Sequence, residues 1–558
     1  MKRRTFLRHT GAALGAATLG PAFVRGAAAE SGRAALLLRG AVVYDGTGAA
    51  PFEADVLVAD GRIREIGRGL SAAGAEEVQL DGLALSPGFV DIHSHTSTQV
   101  LTNPRAESKL LQGVTTEVAG QDGSSVGLWS DDQFEAVRER YRRDGVELQF
   151  RDVAGFLAQV DRQGAALNIA SMVGAGSIRA FVVGADDRPA SVEETARMRA
   201  LVEEAIAGGA CGLSSGLEYT PGGFASTDEL IALASALRGT GLPYASHMRN
   251  EDDRLLAAIE EAIRVGQGAG VPVQVSHLKA QGQRNWWKAD QALGLIEAAR
   301  AAGIDVMFDV YPYIAYSTGL SNLFPIDALD GGTEAFRARL RDPAHSDALR
   351  EAVLAKVESL GSWDAVQITS TDSEEYAFAR GKRLGALAAQ RRVEPYDLLV
   401  EILLSGGGGM VGFGMSEENV RKFLVHPLAM ICSDGGAYTI ETSSSPHPRN
   451  FGTFPRVLGH YVREEKLMPL ETAIHKVTMM PARRIGVTDR GTVERAMAAD
   501  LVVFDPAVLT DRATFEQPKQ YATGIRHVIV NGTFVLRDGE YTGAYPGRAV
   551  RPTRAAHG

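Results

Sequence analysis

Histidine side chains stand at the ends of several short apolar segments of this chain. The spacing His93-Ser94-His95 points both imidazoles to one side of an extended segment, because the side chains of a strand alternate. His247 and His277 end two later segments of the same kind. Imidazole is a preferred ligand of Zn²⁺. A single His-x-His pair is a weak signal, but four of the 12 histidines in such positions predict a zinc site.

Carboxylates follow two other segments of this kind. Asp122 could ligate one or both metal ions, although the glycine after it also favours an ordinary turn. Asp434 precedes two glycines, so a turn is again the alternative. Beside a metal site its carboxylate could take a proton from an attacking water and return it to a leaving amine. Glu117 is a competing acid that should lie deeper in the fold.

Cationic side chains near these residues could bind a carboxylate of the substrate. Lys279 follows His277 by two positions and should face the same side of the chain. A solvated lysine is an equally good interpretation of that position. Arg249 and Arg449 compete for the same role.

The elements that must position these side chains have the pattern of βα units. The predicted strands are 84–93, 114–120, 168–174, 211–216, 243–247, 272–277, 305–311 and 429–433. Six of the eight end in a histidine, an acid or a tyrosine, with Tyr311 and Tyr313 at the seventh. Ser191 and Ser226, each followed by a glutamate three residues later, predict capped helices between strands. Eight such units predict an α/β fold of the (β/α)8 TIM-barrel type, with the active site where the strands end.

Two regions lie outside this pattern, and a third interrupts it. Residues 34–66 and 491–541 alternate apolar and polar residues around hairpin turns, which predicts two parts of one small composite β-sandwich. The gap of more than about a hundred residues before the last strand predicts an inserted, mostly helical subdomain at about 320–420. The predicted units are therefore 30–82 and 481–558 for the sandwich, and 83–480 for the barrel with its insertion.

The composition is that of a folded protein, with 45% hydrophobic and 23% charged residues among 558. Acids outnumber bases by 68 to 58, which argues against nonspecific binding of nucleic acid. Only two cysteines are present, Cys211 and Cys432, and both lie in apolar segments typical of a core. They exclude a disulfide-rich scaffold. No stretch of the mature chain reaches the roughly 18 apolar residues that a membrane span requires.

The first 29 residues are typical of an export signal. Residues 2–4 are basic, a weakly apolar run rich in alanine and glycine follows, and three alanines occupy 27–29. The segment RRTFL at 3–7 resembles the twin-arginine (Tat) signal, which directs the export of folded proteins. A basic, frayed helix is the alternative. The sequence thus predicts cleavage after residue 29, engagement of the Tat export machinery and a periplasmic location.

Taken together, these residues resemble the amidohydrolase superfamily and, within it, the D-aminoacylase (N-acyl-D-amino-acid deacylase) family. The resemblance covers most of the mature chain in order and spacing. The matching segments are PGFVDIHSH (87–95), ESK (107–109), QGVTT (112–116), GLSSGLEY (212–219), SHMR (246–249), SHLK (276–279), YPY (311–313), SDG (433–435) and HPRNFGTFPR (447–456).

The resemblance implies one or two zinc ions and assigns a role to each candidate residue. Zinc would be held by Asp122, His247 and His277, with a second, often weaker position near His93 and His95. Asp434 would be the catalytic acid and base. The carboxylate of a D-amino acid would be bound by Lys279, Tyr311 or Tyr313, and Arg449.

One position departs from the family pattern. Where such deacylases most often have Asn-Cys-Gly, this chain has Gln121-Asp122-Gly123. A hard carboxylate replaces a soft thiolate, so it should bind a borderline metal less tightly and can bridge two ions. We therefore expect a more nearly binuclear centre.

The resulting prediction is a zinc-dependent enzyme that hydrolyses the amide of N-acyl-D-amino acids to a carboxylate and a free D-amino acid. Tyr313 is a candidate to stabilise the oxyanion of the intermediate. A dipeptidase acting on short peptides with a C-terminal D-residue is an alternative. Cyclic amidases are another, although many carry a carboxylated lysine at the fourth strand and 212–219 contains none. The non-enzyme alternative is a secreted binding protein built on an inactive barrel.

Overall fold

The computed structural model describes residues 35–97 and 99–553. The predicted export signal at 1–29 lies outside them. The strands are β1 (Leu36–Val43), β2 (Phe52–Ala59), β3 (Arg62–Gly67), β4 (Glu76–Gln79), β5 (Ala84–Pro87), β6 (Phe89–Asp91), β7 (Val114–Ala119), β8 (Asn168–Ser171), β9 (Val173–Gly174), β10 (Leu213–Gly216), β11 (Tyr244–His247), β12 (Val273–Val275), β13 (Val306–Val310), β14 (Ala315–Gly319), β15 (Val366–Thr371), β16 (Gly408–Phe413), β17 (Ala429–Ile431), β18 (Leu501–Phe504), β19 (Ile525–Val530), β20 (Thr533–Arg537) and β21 (Glu540–Tyr541).

Helices alternate with these strands through the middle of the chain. They are α1 (Gln99–Thr102), α2 (Glu107–Leu110), α3 (Asp131–Arg143), α4 (Val153–Gln163), α5 (Ala175–Val182), α6 (Val192–Ala207), α7 (Thr227–Ala234), α8 (Leu255–Ala269), α9 (Lys288–Ala301), α10 (Gly332–Arg341), α11 (Pro343–Leu360), α12 (Leu384–Arg391), α13 (Pro395–Leu404), α14 (Glu417–Val425), α15 (Arg449–Pro455), α16 (Leu470–Val477) and α17 (Met479–Arg484). Ser191 caps α6 in a complete capping box with Glu194, as predicted. Among the described residues, none of these helices has the length and apolar character that crossing a bilayer requires.

Two parallel sheets form the centre of the molecule. One has the order β17-β13-β12-β11-β10-β9 and the other the order β6-β7-β8. Met172, between β8 and β9, donates its N–H to Ala119 O, and an isolated parallel bridge joins Ser94 to Gly435 at the far end. These strands are almost wholly buried, as expected for parallel strands covered on both faces. The predicted mixed α/β architecture is confirmed.

Each predicted strand overlaps an observed one, but the first was predicted too long. Residues 84–93 divide at Gly88 into β5 and β6. A Cβ at Gly88 would lie 2.1 Å from Thr115 Oγ1, so only glycine allows this close approach. The division sends β5 into a different sheet and leaves β6 beside β7.

The two ends of the described chain meet in one nine-stranded sheet. Its order is β21-β20-β19-β18-β5-β1-β2-β3, with β4 also paired to β1. The contact between the parts is the antiparallel pair β5 and β18. A separate apolar cluster, which includes Leu38, Val56 and Ile529, packs against this sheet.

The inserted region contains a sheet that the sequence analysis missed. Helices α10 to α13 are present, but β14, β16 and β15 also form an antiparallel sheet in that order. The strand β16 has the sequence GGMVGF, and glycine weakens the local signal for a strand. Gly412 is required there because a Cβ would lie 2.3 Å from the ring of Tyr316. The expectation of a mostly helical insertion was therefore incomplete.

Candidate metal centre

The predicted ligands lie at the carboxyl ends of the parallel strands, and all of them except the fully buried His93 line one cavity of about 690 Å³. His247 ends β11, and the other residues follow their strands by two or three positions or, for His95, by four. Because parallel strands present these ends at one edge, side chains distant in sequence converge there. The residues brought together are His93, His95, Asp122, His247, His277 and Asp434.

Asp122 lies in the middle of this cluster. Its Oδ1 is 3.2 Å from His93 Nε2 and 3.4 Å from His277 Nε2. Its Oδ2 is 3.4 Å from His95 Nε2 and 3.7 Å from His247 Nδ1. One carboxylate therefore faces all four imidazoles.

The cluster has the chemistry of a cation site. Both ring nitrogens of His93 and Oδ1 of Asp122 are buried without a hydrogen-bond partner among the described residues. Buried polar atoms are rarely left so, and a bound ion satisfies them. Burial raises the pKa of Asp122, but His93, His277 and His247 outweigh it and hold that pKa well below its usual range. Imidazoles around a carboxylate are a ligand set that suits zinc.

A second ring of carboxylates stands behind the histidines. Each of these acids faces the ring nitrogen of a histidine that does not point to Asp122. The contacts are Asp309 Oδ1 to His93 Nδ1 at 3.4 Å, Glu251 Oε1 to His277 Nδ1 at 3.0 Å, and Glu218 Oε2 to His247 Nε2 at 3.5 Å. Carboxylates in this position fix the tautomer and orientation of metal-binding histidines.

Sequence reasoning missed these three acids as functional residues. Glu218 lies inside the family segment GLSSGLEY but carried no assigned role. Asp309 lies within β13 and two positions before Tyr311, so strand alternation could have placed it on the same face. Glu251 follows His247 by four residues in a loop, where no local pattern marks it.

Three residues of the centre have left-handed backbone conformations. The φ angles are 52° for Asp122, 35° for His277 and 49° for Asp434. Such angles are uncommon outside glycine and cost energy, so the surrounding structure must impose them. All three coincide with the ends of parallel strands, where the chain turns to present a side chain to the cavity.

Asp434 is held between two partners at the edge of the cluster. Its Oδ1 is 2.8 Å from His95 Nε2, and its Oδ2 accepts a hydrogen bond of 2.6 Å from Arg449 Nη1. Burial raises the pKa of Asp434, but Arg449 and the histidines lower it more, so it lies far below its usual range. The carboxylate is thus ionised, and its two oxygens are held by His95 and Arg449.

Lys279 and Tyr311 both reach the cavity wall. Lys279 Nζ lies 2.6 Å from Glu251 Oε1 and 2.6 Å from His277 Nδ1, so it neutralises the acid behind a ligand. The guanidinium carbon of Arg449 lies 4.9 Å from the centre of the Tyr311 ring. Binding of a substrate carboxylate by these residues stays a prediction.

Two other candidates lie elsewhere. Tyr313 does not line the cavity as the structure describes it, because its ring packs against His447 with centroids 5.1 Å apart. The structure therefore gives no support to Tyr313 as the oxyanion donor. Arg249 donates to the carbonyls of Gly223 and Ala225 and pairs with Glu261.

The remaining candidates occupy the core. Glu117 is fully buried beneath the centre, the deeper position that was expected of it. Cys211 and Cys432 are buried free thiols. Burial raises the pKa of Cys211 to about 12, so this thiol stays protonated and is a core residue rather than a nucleophile.

Comparison with known proteins shows which family the chain belongs to. A model described as "Amidohydrolase family" matches residues 76–536. The chain belongs to the amidohydrolase family. A D-aminoacylase of Alcaligenes xylosoxydans xylosoxydans is 37% identical over 520 residues, which cover 93% of this chain and 98% of that relative.

Two solved structures share the amidohydrolase fold over the same extent, each covering 92% of this chain and 99% of the other. One is an N-acyl-D-glutamate deacylase from Bordetella bronchiseptica, with zinc and a phosphonate mimic of the tetrahedral intermediate (31% identity, TM-score 0.78). The other is a D-aminoacylase, solved in work on its binuclear metal centre (35% identity, TM-score 0.76).

Proposed function

We propose that this chain is a zinc-dependent amidohydrolase that cleaves N-acyl-D-amino acids into a carboxylate and a D-amino acid. The observation that carries the proposal is the Asp434 carboxylate, fixed by His95 and Arg449 against a cluster of imidazoles around Asp122. The relatives above are named for this activity, and one was solved with zinc. The convergence of these imidazoles and carboxylates argues against an inactive binding barrel.

The residues fit zinc in one or two positions. Asp122, His247 and His277 would hold one ion, and His93 and His95 would hold a second with the same carboxylate. Bound zinc would polarise the scissile carbonyl and lower the pKa of the attacking water. Because Asp122 presents one oxygen or the other to every imidazole, it can belong to both positions.

The chain's own residues then move the proton and hold the substrate. Asp434 accepts the proton of the attacking water as the water oxygen bonds to the carbonyl carbon. It returns that proton to the amine nitrogen as the C–N bond breaks. Arg449 lines the cavity and its Nε has no hydrogen-bond partner among the described residues. We propose that Arg449 binds the substrate carboxylate, together with Lys279 and Tyr311 on the same cavity wall.

The experiment is a hydrolysis screen with paired enantiomers. N-acetyl-D- and N-acetyl-L-leucine, and dipeptides with a C-terminal D- or L-residue, are incubated with the zinc-loaded protein. We expect turnover of the N-acetyl-D-amino acid, its loss after treatment with a chelator and its return on adding zinc. Equal turnover of both enantiomers would contradict the specificity, and faster cleavage of the D-dipeptide would favour the dipeptidase alternative.

The two parallel sheets are, in this proposal, one closed (β/α)8 barrel, and the terminal sheet is a composite β-sandwich. The bridge between Ser94 and Gly435 and the hydrogen bond from Met172 to Ala119 support the first statement. The pairing of β5 with β18 supports the second.

Export to the periplasm by the Tat route is a further part of the proposal. It rests on the basic residues 2–4 and the Ala/Gly-rich run that follows them. Replacing Arg3 and Arg4 by lysine should retain the protein in the cytoplasm, which cell fractionation measures. Periplasmic protein in unchanged amount would contradict the Tat assignment.

A further inference from the structure

A buried ionic network lies beneath the metal centre on the side of His93, His95 and Asp434. Its centre is Lys109 of α2, whose side chain is fully buried. The Lys109 Nζ contacts four oxygens: Ser433 Oγ at 2.7 Å, Asp91 Oδ2 at 2.8 Å, Glu117 Oε1 at 2.9 Å and Gly435 O at 3.0 Å. We call Lys109 with these four residues the Lys109 network.

Each oxygen belongs to a residue close to a member of the centre. Asp91 precedes His93 by two positions, and Ser433 and Gly435 flank Asp434. Ser433 also donates to Asp91 through both its N–H, at 2.9 Å, and its hydroxyl, at 2.5 Å. One ammonium group therefore ties the loop after β6 to the loop after β17.

Glu117 extends the network to the other histidine of the loop. Its Oε1 accepts hydrogen bonds from Ser94 Oγ at 2.7 Å and Thr96 Oγ1 at 2.8 Å. These two residues flank His95 in sequence. The side-chain contacts therefore fix the backbone on both sides of His95.

The two loops are also joined directly by their backbones. Asp434 N–H donates to His93 O, and His95 N–H donates to Gly435 O, each at 2.9 Å. A shift of either loop must therefore displace the other. Asp434 also has a left-handed backbone, which persists only where its neighbours hold it.

None of the three charged groups of the network lines the cavity, so they act on the centre through the loops. Burial lowers the pKa of Lys109, but Asp91 and Glu117 raise it further, and the ammonium stays charged. Without it, two buried carboxylates would face each other with no cation between them, which strongly disfavours this packing.

We propose that Lys109 is a positioning residue that sets the geometry of the His93/His95 metal position and of Asp434. It does so by compensating Asp91 and Glu117 and by fixing the loops after β6 and β17. The kinetic part of this inference rests on the proposed function, whereas the metal-binding part does not.

The test compares Lys109→Met with Lys476→Met in the full chain. Lys476 is also buried, but it donates only to the carbonyls of His426 and Ala429 at the opposite end of β17. Zinc stoichiometry and affinity are measured by competition with a chromophoric chelator, without substrate. We expect Lys109→Met to weaken one zinc position by about 10- to 100-fold, the range for residues that orient ligands. We expect Lys476→Met to bind zinc as the unaltered chain does.

Thermal unfolding without zinc separates positioning from simple stabilisation. If Lys109→Met loses stability as Lys476→Met does but keeps both zinc affinities, the proposal is wrong. If Lys109→Met does not fold, the zinc affinity of Glu117→Gln is measured instead. Glutamine keeps an oxygen for Ser94 and Thr96 while removing the charge. Unchanged zinc affinity in Glu117→Gln would then overturn the proposal, and a weakened position supports it.

Turnover adds a second, separate readout. We expect Lys109→Met to lower kcat by at least 10-fold with zinc saturating and KM little changed. If the unaltered chain hydrolyses no N-acyl-D-amino acid, the proposed function fails while the zinc measurements still decide the role of Lys109. Normal zinc affinity refutes the positioning role whatever the value of kcat, and a normal kcat with zinc saturating refutes its extension to Asp434.

Discussion

Replacing Asp434 with asparagine should remove most of the turnover and leave zinc bound. A positioned general acid and base contributes roughly 10²- to 10⁴-fold, which is about 3–5 kcal/mol of activation free energy. Asparagine has the shape of aspartate and tolerates the backbone angle of 49° at this position. The substitution therefore removes proton transfer without forcing the loop to move.

The same change also costs stability, and the structure shows why. Asp434 pairs with Arg449 at 2.6 Å, and both side chains are nearly buried. Leaving one partner of such a pair uncompensated costs roughly 3–5 kcal/mol. Asp500 is a matched control, because it is 4% exposed, pairs with Arg490 and lies away from the cavity. Asp500→Asn should lose comparable stability and keep its turnover.

The assay measures kcat on N-acetyl-D-leucine with added zinc, well below the unfolding temperature of either variant. Zinc content is determined on the same samples. If Asp434→Asn keeps kcat within 10-fold of the unaltered chain, Asp434 is not the general base. If both variants lose turnover equally, the loss is structural and the assignment has no support.

Three further outcomes follow from the described contacts. Asp309→Asn should weaken zinc binding about 10-fold in chelator competition, because the negative charge that lies 3.4 Å from His93 Nδ1 is removed. N-acetyl-D-glutamine should exceed N-acetyl-D-glutamate in kcat/KM by at least about 10-fold, since Glu218 on the cavity wall repels a second carboxylate; equal values would refute this. Burial lowers the pKa of Lys476 to about 8 in the folded chain. As the pH rises, the folded chain therefore loses this proton at a lower pH than the unfolded chain does. The free energy of unfolding should therefore increase between about pH 8 and 10.4, relative to Lys476→Met, by up to about 3 kcal/mol in urea titrations; parallel pH profiles would contradict that.

The convergence of the candidate ligands was predictable from sequence for a geometrical reason. Parallel strands of one sheet end at a common edge, so polar residues that follow several such strands meet there whatever their distance in the chain. His95 and Asp434 are 339 residues apart in sequence and 2.8 Å apart in space. The pattern of predicted strands was enough to predict that these two residues lie close together.

The carboxylates behind the ligands could not be found in this way. Asp309 lies inside an otherwise apolar strand, and Glu251 lies in a loop, so neither belongs to a local pattern. Their role depends on which ring nitrogen of a histidine faces outward, and this is a property of the packed structure. The same limit explains why Lys279, predicted beside His277, could not be paired in advance with Glu251.

The centre's most distinctive residue, Asp122, shows how the two kinds of information combine. The family resemblance drawn from the sequence implies a thiolate at this position, where this chain has a carboxylate, and the structure shows what that carboxylate faces. A thiolate offers one sulfur atom, whereas Asp122 presents Oδ1 to His93 and His277 and Oδ2 to His95 and His247. Each oxygen therefore faces one imidazole of each proposed zinc position, so the carboxylate lies between the two positions and can serve both. The expected binuclear character of the centre stays a prediction, which zinc stoichiometry tests.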